Sequence, residues 1–367
     1  MKALDTFLTE AVGRVFPTAV LHINHAGQPI YQRAVGFVDP DTRQRPAELE
    51  TLFDLASVTK LFTTTAFLRL VAAGKVGLDN QVCGVLPEFV GKRPFLPYED
   101  PLNPGSFVTV SPNEGTVDAS TITFRQLLTH SSGLPAWRPL YQQARGEIRP
   151  FVLGTFFSYP PNTRVVYSDL GLIMLGWTIE ALTGQPLAQA IADLVWQPLG
   201  IMDVLFNPPD PGRCAPTEFC RWRNRRMQGE VHDENAWQLG GVAGHAGLFG
   251  TAVGVTTLGQ AWLDAVQGRS DFLPRELAET AVSLQAQDGD TRRGLGWALW
   301  SPYPLSPSHP LGPRTFGHTG FTGTSLFVDP DRNLVIACLT NEVYAGREDR
   351  GIAPFRVACH EKIVHNL

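Results

Sequence analysis

Lysine is scarce in this 367-residue chain: 5 lysines stand against 25 arginines, and acidic residues outnumber basic ones 35 to 30, for a formal net charge of −5. That balance excludes the basic surplus with which nucleic-acid-binding proteins hold phosphates, and it gives no attraction to an anionic membrane surface. Long apolar runs are missing as well. The best candidate, Leu61 to Ala73, is interrupted by three threonines and an arginine, well short of the roughly 18 apolar residues a membrane span needs. Asp5 and Glu10 break up the opening MKALDTFLTEAVGRV, so no basic start followed by an apolar run marks it for export. With Met1 as the start, the expectation is a soluble, cytoplasmic protein. The five cysteines, Cys83, Cys214, Cys220, Cys338 and Cys359, form an odd, scattered set without a C-x-x-C pair and read as reduced, buried thiols.

What is present is enough apolar residue, 43% of the chain, to bury a large core. Ala19, Leu21 and Ile23 alternate with polar neighbours, the turn formers His25-Ala26-Gly27-Gln28 follow, and a second extended run covers Ile30 to Gly36, which predicts a β-hairpin. Thr324 to Val328 and Leu334 to Leu339 flank Asp329-Pro330-Asp331-Arg332-Asn333 and predict another. Helical spacing appears at Ala353 to Val364, placed to cover a sheet, and at Leu61 to Ala73, Phe124 to Leu128 and Leu170 to Leu182 among loops rich in proline and glycine. The fold class expected is α+β: one antiparallel sheet assembled from both chain ends and flanked by helices, about 1–60 plus 240–367, with a mainly helical subdomain, about 61–239, inserted in a single catalytic domain. Chemistry is expected in the cleft between them. Pro87 to Ser120 and Asn207 to Gln228 resist assignment. The second contains Arg221-Trp222-Arg223-Asn224-Arg225-Arg226, which reads as a solvated charged loop, with selection of an anionic substrate as the rarer alternative.

Ala56-Ser57-Val58-Thr59-Lys60 opens the first of the central helical runs. Residues three apart share a helix face, so the Ser57 hydroxyl and the Lys60 ammonium can meet. A serine needs a base to take its proton, and a desolvated lysine can become one where an arginine cannot. Chance pairs one of 14 serines with one of 5 lysines at that spacing about 0.2 times in a chain of this length. The bland alternative is a surface lysine beside a capping serine.

Two further motifs follow in order: Tyr167-Ser168-Asp169 and His318-Thr319-Gly320. With S-x-x-K, and with Phe53-Asp54-Leu55-Ala56, Leu127 to Pro135 and Leu170 to Gly184 around them, the chain resembles the class C β-lactamase and penicillin-binding-protein family and its esterase relatives over nearly its whole length. The resemblance implies Ser57 as nucleophile, Lys60 and Tyr167 as a coupled proton-handling pair, and an oxyanion hole from the backbone N–H groups of Ser57 and Phe321. It makes Asp169, His318, Thr319 and Gly320 substrate contacts. Two departures stand out. Asp169 replaces the asparagine of the second motif, an amide donor, by an acceptor-only carboxylate, and His318 replaces a permanent lysine cation by a largely neutral ring. Both point towards esters or amides without the β-lactam carboxylate.

His232-Asp233-Glu234 and His245 lack H-E-x-x-H spacing and are read as buried hydrogen-bonding residues, with His232 or His245 lining the site as the alternative, so neither metal nor cofactor is expected. Gly240 to Gly250 lacks the lysine of a phosphate loop and reads as close backbone packing. Ser131 and Ser132, beside His130, lack a base arrangement and are weak rival nucleophiles. The expected partner is a small-molecule ester or amide. A β-lactam or D-Ala-D-Ala substrate is the nearest alternative, and a noncatalytic scaffold on the same fold is the alternative from another class.

Overall fold

Extended runs at both chain ends, in the computed structural model, which describes residues 2–103, 105–111 and 114–367, build one sheet whose central strands are buried on both faces. The strands are β1 (Thr18–His25), β2 (Gln28–Gly36), β3 (Ala286–Asp288), β4 (Thr291–Arg293), β5 (Ala298–Leu299), β6 (Phe316–Thr319), β7 (Ser325–Asp329) and β8 (Leu334–Thr340). Their order is β3-β4-β5-β6-β7-β8-β1-β2, antiparallel throughout. The β1–β8 pairing, with His22 opposite Ala337, joins the two ends of the chain. This is the α+β architecture expected from the sequence, and both expected hairpins form. Ala26 and Gly27 both take positive φ, 49° and 77°, which lets a two-residue turn follow the right-handed twist of β1 and β2.

On β8, Leu334, Ile336 and Cys338 point to one face and Val335, Ala337 and Leu339 to the other, all buried. The first set packs with Leu4 and Leu8 of α1 (Lys2–Ala11) and with Phe355, Cys359 and Ile363 of the C-terminal helix Ile352–His365. The second packs with Val255, Leu258 and Trp262 of the helix Ala252–Val266. That helix lies so close to the sheet that a Cβ on Gly259 would come within 2.6 Å of a Val335 methyl carbon. Helix α1 was not anticipated: Leu4, Leu8 and Ala11 give it an i, i+4, i+7 stripe in a segment read only for targeting signals.

The central helices are α2 (Thr59–Ala72) and α3 (Asp169–Thr183), which begin within two residues of the nucleophile and tyrosine motifs. α2 is buried nearly all round, and Thr65 within it donates to the Leu61 carbonyl at 2.6 Å and accepts from the Trp262 indole at 2.9 Å. Of the two unassigned segments, 87–120 forms short ladders pairing Lys92–Pro94 with Thr116–Asp118 and Tyr98–Glu99 with Phe107–Val108. In the other, Phe219–Cys220 pairs with Arg225–Arg226. Its arginines mostly tie the loop down: Arg223 donates to the carbonyls of Val231 and His232, Arg225 pairs with Glu230 at 2.6 Å, and Arg226 donates to the Thr217 and Tyr344 carbonyls. Cys214, Cys220, Cys338 and Cys359 are buried and Cys83 half-buried, and all five are free thiols. No helix among the described residues is long and apolar enough to cross a membrane.

Candidate active site

A buried carboxylate shapes the turn that carries Ser57. Asp54 sits in the short strand Phe53–Asp54, paired with Leu248–Gly250, and accepts the N–H of Ala56 at 2.8 Å and of His232 at 2.6 Å. Ala56 is thereby held at φ +45°, a left-handed conformation that costs an L-residue about 1–2 kcal/mol. The 3-10 turn Ala56–Val58 then feeds α2 and sets Ser57 at its head.

Lys60 has 1% of its side chain exposed; its ammonium donates to Ser57 Oγ at 2.8 Å and to the His245 carbonyl at 2.9 Å, and forms an ion pair with Asp169 Oδ1 at 2.8 Å. Burial works to lower its pKa, but Asp169 and Tyr167 outweigh that and raise it. The lysine therefore rests charged, and a resting base made neutral by desolvation, the route open from the sequence, is not what this environment favours. Asp169, read from the sequence as a substrate contact, spends one carboxylate oxygen on Lys60 because the first turn of α3 points it into the cleft beside α2.

Tyr167 is half-buried, with its hydroxyl oxygen buried beside Lys60 and Ser57; burial raises its pKa and Lys60 works against that rise. Its ring lies between His130, at 4.6 Å between centroids, and His318, at 5.7 Å. Lys60 Nζ is 4.9 Å from the ring centre and the Arg293 guanidinium carbon 5.4 Å. The loop after Leu128 positions this segment, since the His130 carbonyl accepts from Val166 N–H and the Tyr159 hydroxyl while His130 Nδ1 accepts from Ser168 N–H. In the same loop Ser131 is spent on Thr129 and Asn162, and Ser132 on Leu134 N–H, which places both in structural roles. His318 Nδ1 lies 2.7 Å from the Thr319 carbonyl, so that nitrogen carries the proton and Nε2 is left as an acceptor. Burial, with Arg293 and Lys60 nearby, pushes His318 down to about 3, so the ring is neutral at working pH.

The third motif is bolted to the nucleophile turn. Thr322 donates to the Asp54 carbonyl at 2.7 Å and Thr324 to that of Leu55 at 2.9 Å. Gly320 permits this approach, because a Cβ there would lie 2.5 Å from the Leu55 carbonyl oxygen. Ser57, Tyr167, Arg293, His318, Thr319 and Phe321 line a cleft of about 610 Å³. Phe321 is 43% exposed at its rim and stacks on His232 at 5.6 Å.

His245 and Asp233 are joined at 3.1 Å, and with Asp169 they bring three ligand-type atoms within 4.8 Å of one another. The Lys60 ammonium already sits against this set as its cation: burial would raise the Asp233 pKa, but His245 and Lys60 hold it far below the carboxylate range. His232 instead pairs with Glu218 at 3.0 Å, and Glu218 also binds Arg347 at 2.6 Å. Burial opposes ionisation of Glu218, yet His232 and Arg347 bring it from 4.5 to about 2. A carboxyl depressed on folding contributes stability above its unfolded pKa and loses it as pH falls towards the folded one. Glu218→Gln is therefore expected to lower the thermal midpoint at pH 7 and to flatten its fall between pH 4.5 and 2, as followed by circular dichroism.

The family described as Beta-lactamase matches residues 4–358. The chain belongs to that family. As a Beta-lactamase-family serine hydrolase it is 31% identical to the N-acetylmuramyl-L-alanine amidase of Bacillus subtilis (strain 168), over 93% of this chain and 81% of that one. It is 28% identical to a putative D-alanyl-D-alanine carboxypeptidase of Escherichia coli (strain K12), over 94% and 83%. Among solved structures, EstCE1, a hydrolase with promiscuous acyltransferase activity, superposes with a TM-score of 0.74 at 21% identity over 98% of this chain and 97% of that one. The octameric penicillin-binding protein homologue from Pyrococcus abyssi does so at 0.72 and 20%, over 97% and 76%. These two likenesses show the fold. Within this family frame the structure adds residues that the sequence did not single out: Asp54 under the nucleophile turn, His130 behind Tyr167, and Arg293 in the cleft wall. Asp54 lay within a quoted motif, whereas an arginine on a short strand gives no signal of its own.

Proposed function

We propose that the protein hydrolyses carboxylic esters or amides through an acyl-enzyme on Ser57. The observation that carries this reading is the contact of a buried, ion-paired Lys60 ammonium with Ser57 Oγ at 2.8 Å. With Ser57 Oγ accepting from Lys60, its own proton is free to turn to Tyr167, which the same ammonium approaches. Ser57, Lys60 and Tyr167 then act as one coupled proton-handling unit, with the Asp169 carboxylate ion-paired to it. As Ser57 attacks, its proton passes to Tyr167 while the proton of Tyr167 passes to Lys60 and Lys60 hands one of its own to the Asp169 carboxylate, which returns it to Lys60 when Tyr167 is reprotonated. Tyr167 gives its proton to the leaving group and is resupplied through Lys60, so the proton lost by serine ends on the departing oxygen or nitrogen. The backbone N–H groups of Ser57 and Phe321 receive the oxyanion, and water repeats the sequence on the acyl-enzyme. Thr319 and Gly320 border the bound acyl group in this reading, while His318 stands behind the tyrosine.

The second reading, cleavage of a D-Ala-D-Ala-type peptide or a β-lactam, is favoured by the relatives named for carboxypeptidase and amidase activity and by the cationic cleft wall. The test is a fluorophosphonate label followed by peptide mass analysis, run beside turnover of p-nitrophenyl butyrate and nitrocefin. A label on Ser57, with ester turned over and nitrocefin untouched, is expected. A label on any other residue overturns the reading, and a stable penicilloyl adduct on Ser57 moves the protein to the β-lactam-recognising branch.

A further inference from the structure

Alternation along β4 turns two neighbouring arginines to opposite faces of the sheet. Arg293 lines the catalytic cleft. Arg292 lines another, of about 550 Å³, which lies between the helix Arg275–Ala281, the end of the helix Ala252–Val266 and residues 313–315. That volume falls in the range of small-molecule sites. The two clefts share Leu299 of β5, but no residue of the nucleophile, tyrosine or third motif borders the second, so the chemistry at Ser57 makes no use of it.

Charge in this second cleft is unbalanced, with three arginines and one carboxylate in its wall. Arg275 pairs with Glu279 at 2.9 Å and Arg314 with Asp331 at 2.5 Å. Arg292 belongs to no ion pair among the described residues: one terminal nitrogen donates to the Trp300 carbonyl at a long 3.3 Å, and Nε is buried without an acceptor. Arg69, Arg293 and Arg356 also have an unpartnered Nε, so that alone is not distinctive. The company of Arg292 is. The Trp300 indole N–H, the Thr315 hydroxyl and Gln267 Oε1 are buried atoms without partners as well, and all four residues line this one cleft. Thr315 is 1% exposed and the other three are half-buried. Buried polar atoms left unpaired are costly, and three of these four can donate. The helix ends nearby offer Arg292 no relief, because the Ala265 and Ala281 carbonyls already accept from the N–H groups of Gly268 and Leu295. Val266, Val282, Leu284, Leu299 and Pro330 make the rest of the wall apolar.

We infer that this cleft binds a small carboxylate with an apolar body. The planar fork of a guanidinium matches a carboxylate in two parallel hydrogen bonds, and the indole and hydroxyl are further donors on the same wall. One uncompensated cation suits one negative charge, whereas a phosphate monoester brings close to two. The apolar wall favours a body that gains by leaving water. The site stands apart from the proposed reaction and does not depend on the role of Ser57.

The probes are 4-phenylbutyrate and 4-phenylbutyramide, which differ in charge alone, titrated calorimetrically into the full chain. The wild type is expected to bind the carboxylate more tightly than the amide. Arg292→Gln is expected to weaken the carboxylate by about tenfold or more, the range of one charge-assisted hydrogen bond, and to leave the amide unchanged. Arg293→Gln, one residue away on the opposite face, is expected to leave the preference intact. Leu284 is 46% exposed, so its variants fold without touching a buried group. Leu284→Glu is expected to weaken the carboxylate by like-charge repulsion, and Leu284→Gln is not. Equal affinity for acid and amide, a preference that follows Arg293 and ignores Arg292 and Leu284→Glu, or no binding at millimolar concentration each overturns the assignment.

Discussion

Ser57→Ala is expected to lower kcat for p-nitrophenyl butyrate by roughly 10⁴- to 10⁶-fold, the scale on which removal of a serine nucleophile acts in enzymes whose groups work as a unit. No acyl adduct should appear in the intact mass of the variant. The fold should survive, because Lys60 loses one acceptor and keeps two, Asp169 and the His245 carbonyl, and the Asp54 contacts that shape the turn use backbone groups. The readout is progress curves with intact-protein mass and circular dichroism on the same sample. Activity within tenfold of the wild type would remove Ser57 from the mechanism.

Lys60→Met should be the more disruptive change. It removes the proton carrier, with an expected loss in kcat of about 10³-fold or more. It also leaves the Asp169 carboxylate, 18% exposed, without its counter-charge and the His245 carbonyl without a donor. Breaking a buried pair from one side costs about 3 kcal/mol. The double variant Lys60→Met/Asp169→Leu is expected to recover much of that stability without recovering the rate, since a pair of apolar residues can fill the site but cannot move a proton. Denaturant unfolding and kcat on the four members of the cycle give both couplings. A double variant as unstable as the single would mean that Asp169 is not what makes the loss of Lys60 costly.

The legible parts of this protein were the local ones. Ser57 and Lys60 lie within one helical turn, so their meeting followed from spacing, and Tyr167 followed from its place in an ordered set of motifs. The hairpins at Ala26-Gly27 and Asp329 to Asn333 were legible because turn formers separate alternating runs. Helix α1 was passed over although Leu4, Leu8 and Ala11 mark it, because the segment was searched for export signals and not for an apolar stripe. The charge state of Lys60 was out of reach, since it depends on Asp169 from α3 and on the carbonyl of His245, 185 residues away. Arg293 carried no signal because an arginine on a short strand reads as solvated until the fold shows what stands over it.

By itself, then, the sequence determined the class of fold through short-range periodicity and brought Ser57 and Lys60 together through helical spacing, while Tyr167 and the third motif were picked out by resemblance to a family. Tertiary structure alone decided which charges surround those groups. Protonation in a buried site is set by desolvation and by the nearest opposite charge, and here those charges come from elements far apart in the chain: Asp169 and Asp233 around Lys60, Arg293 and His130 around Tyr167. Such contacts have no fixed separation in sequence, so no periodicity announces them, and they exist only once both chain ends have joined one sheet across the helical core.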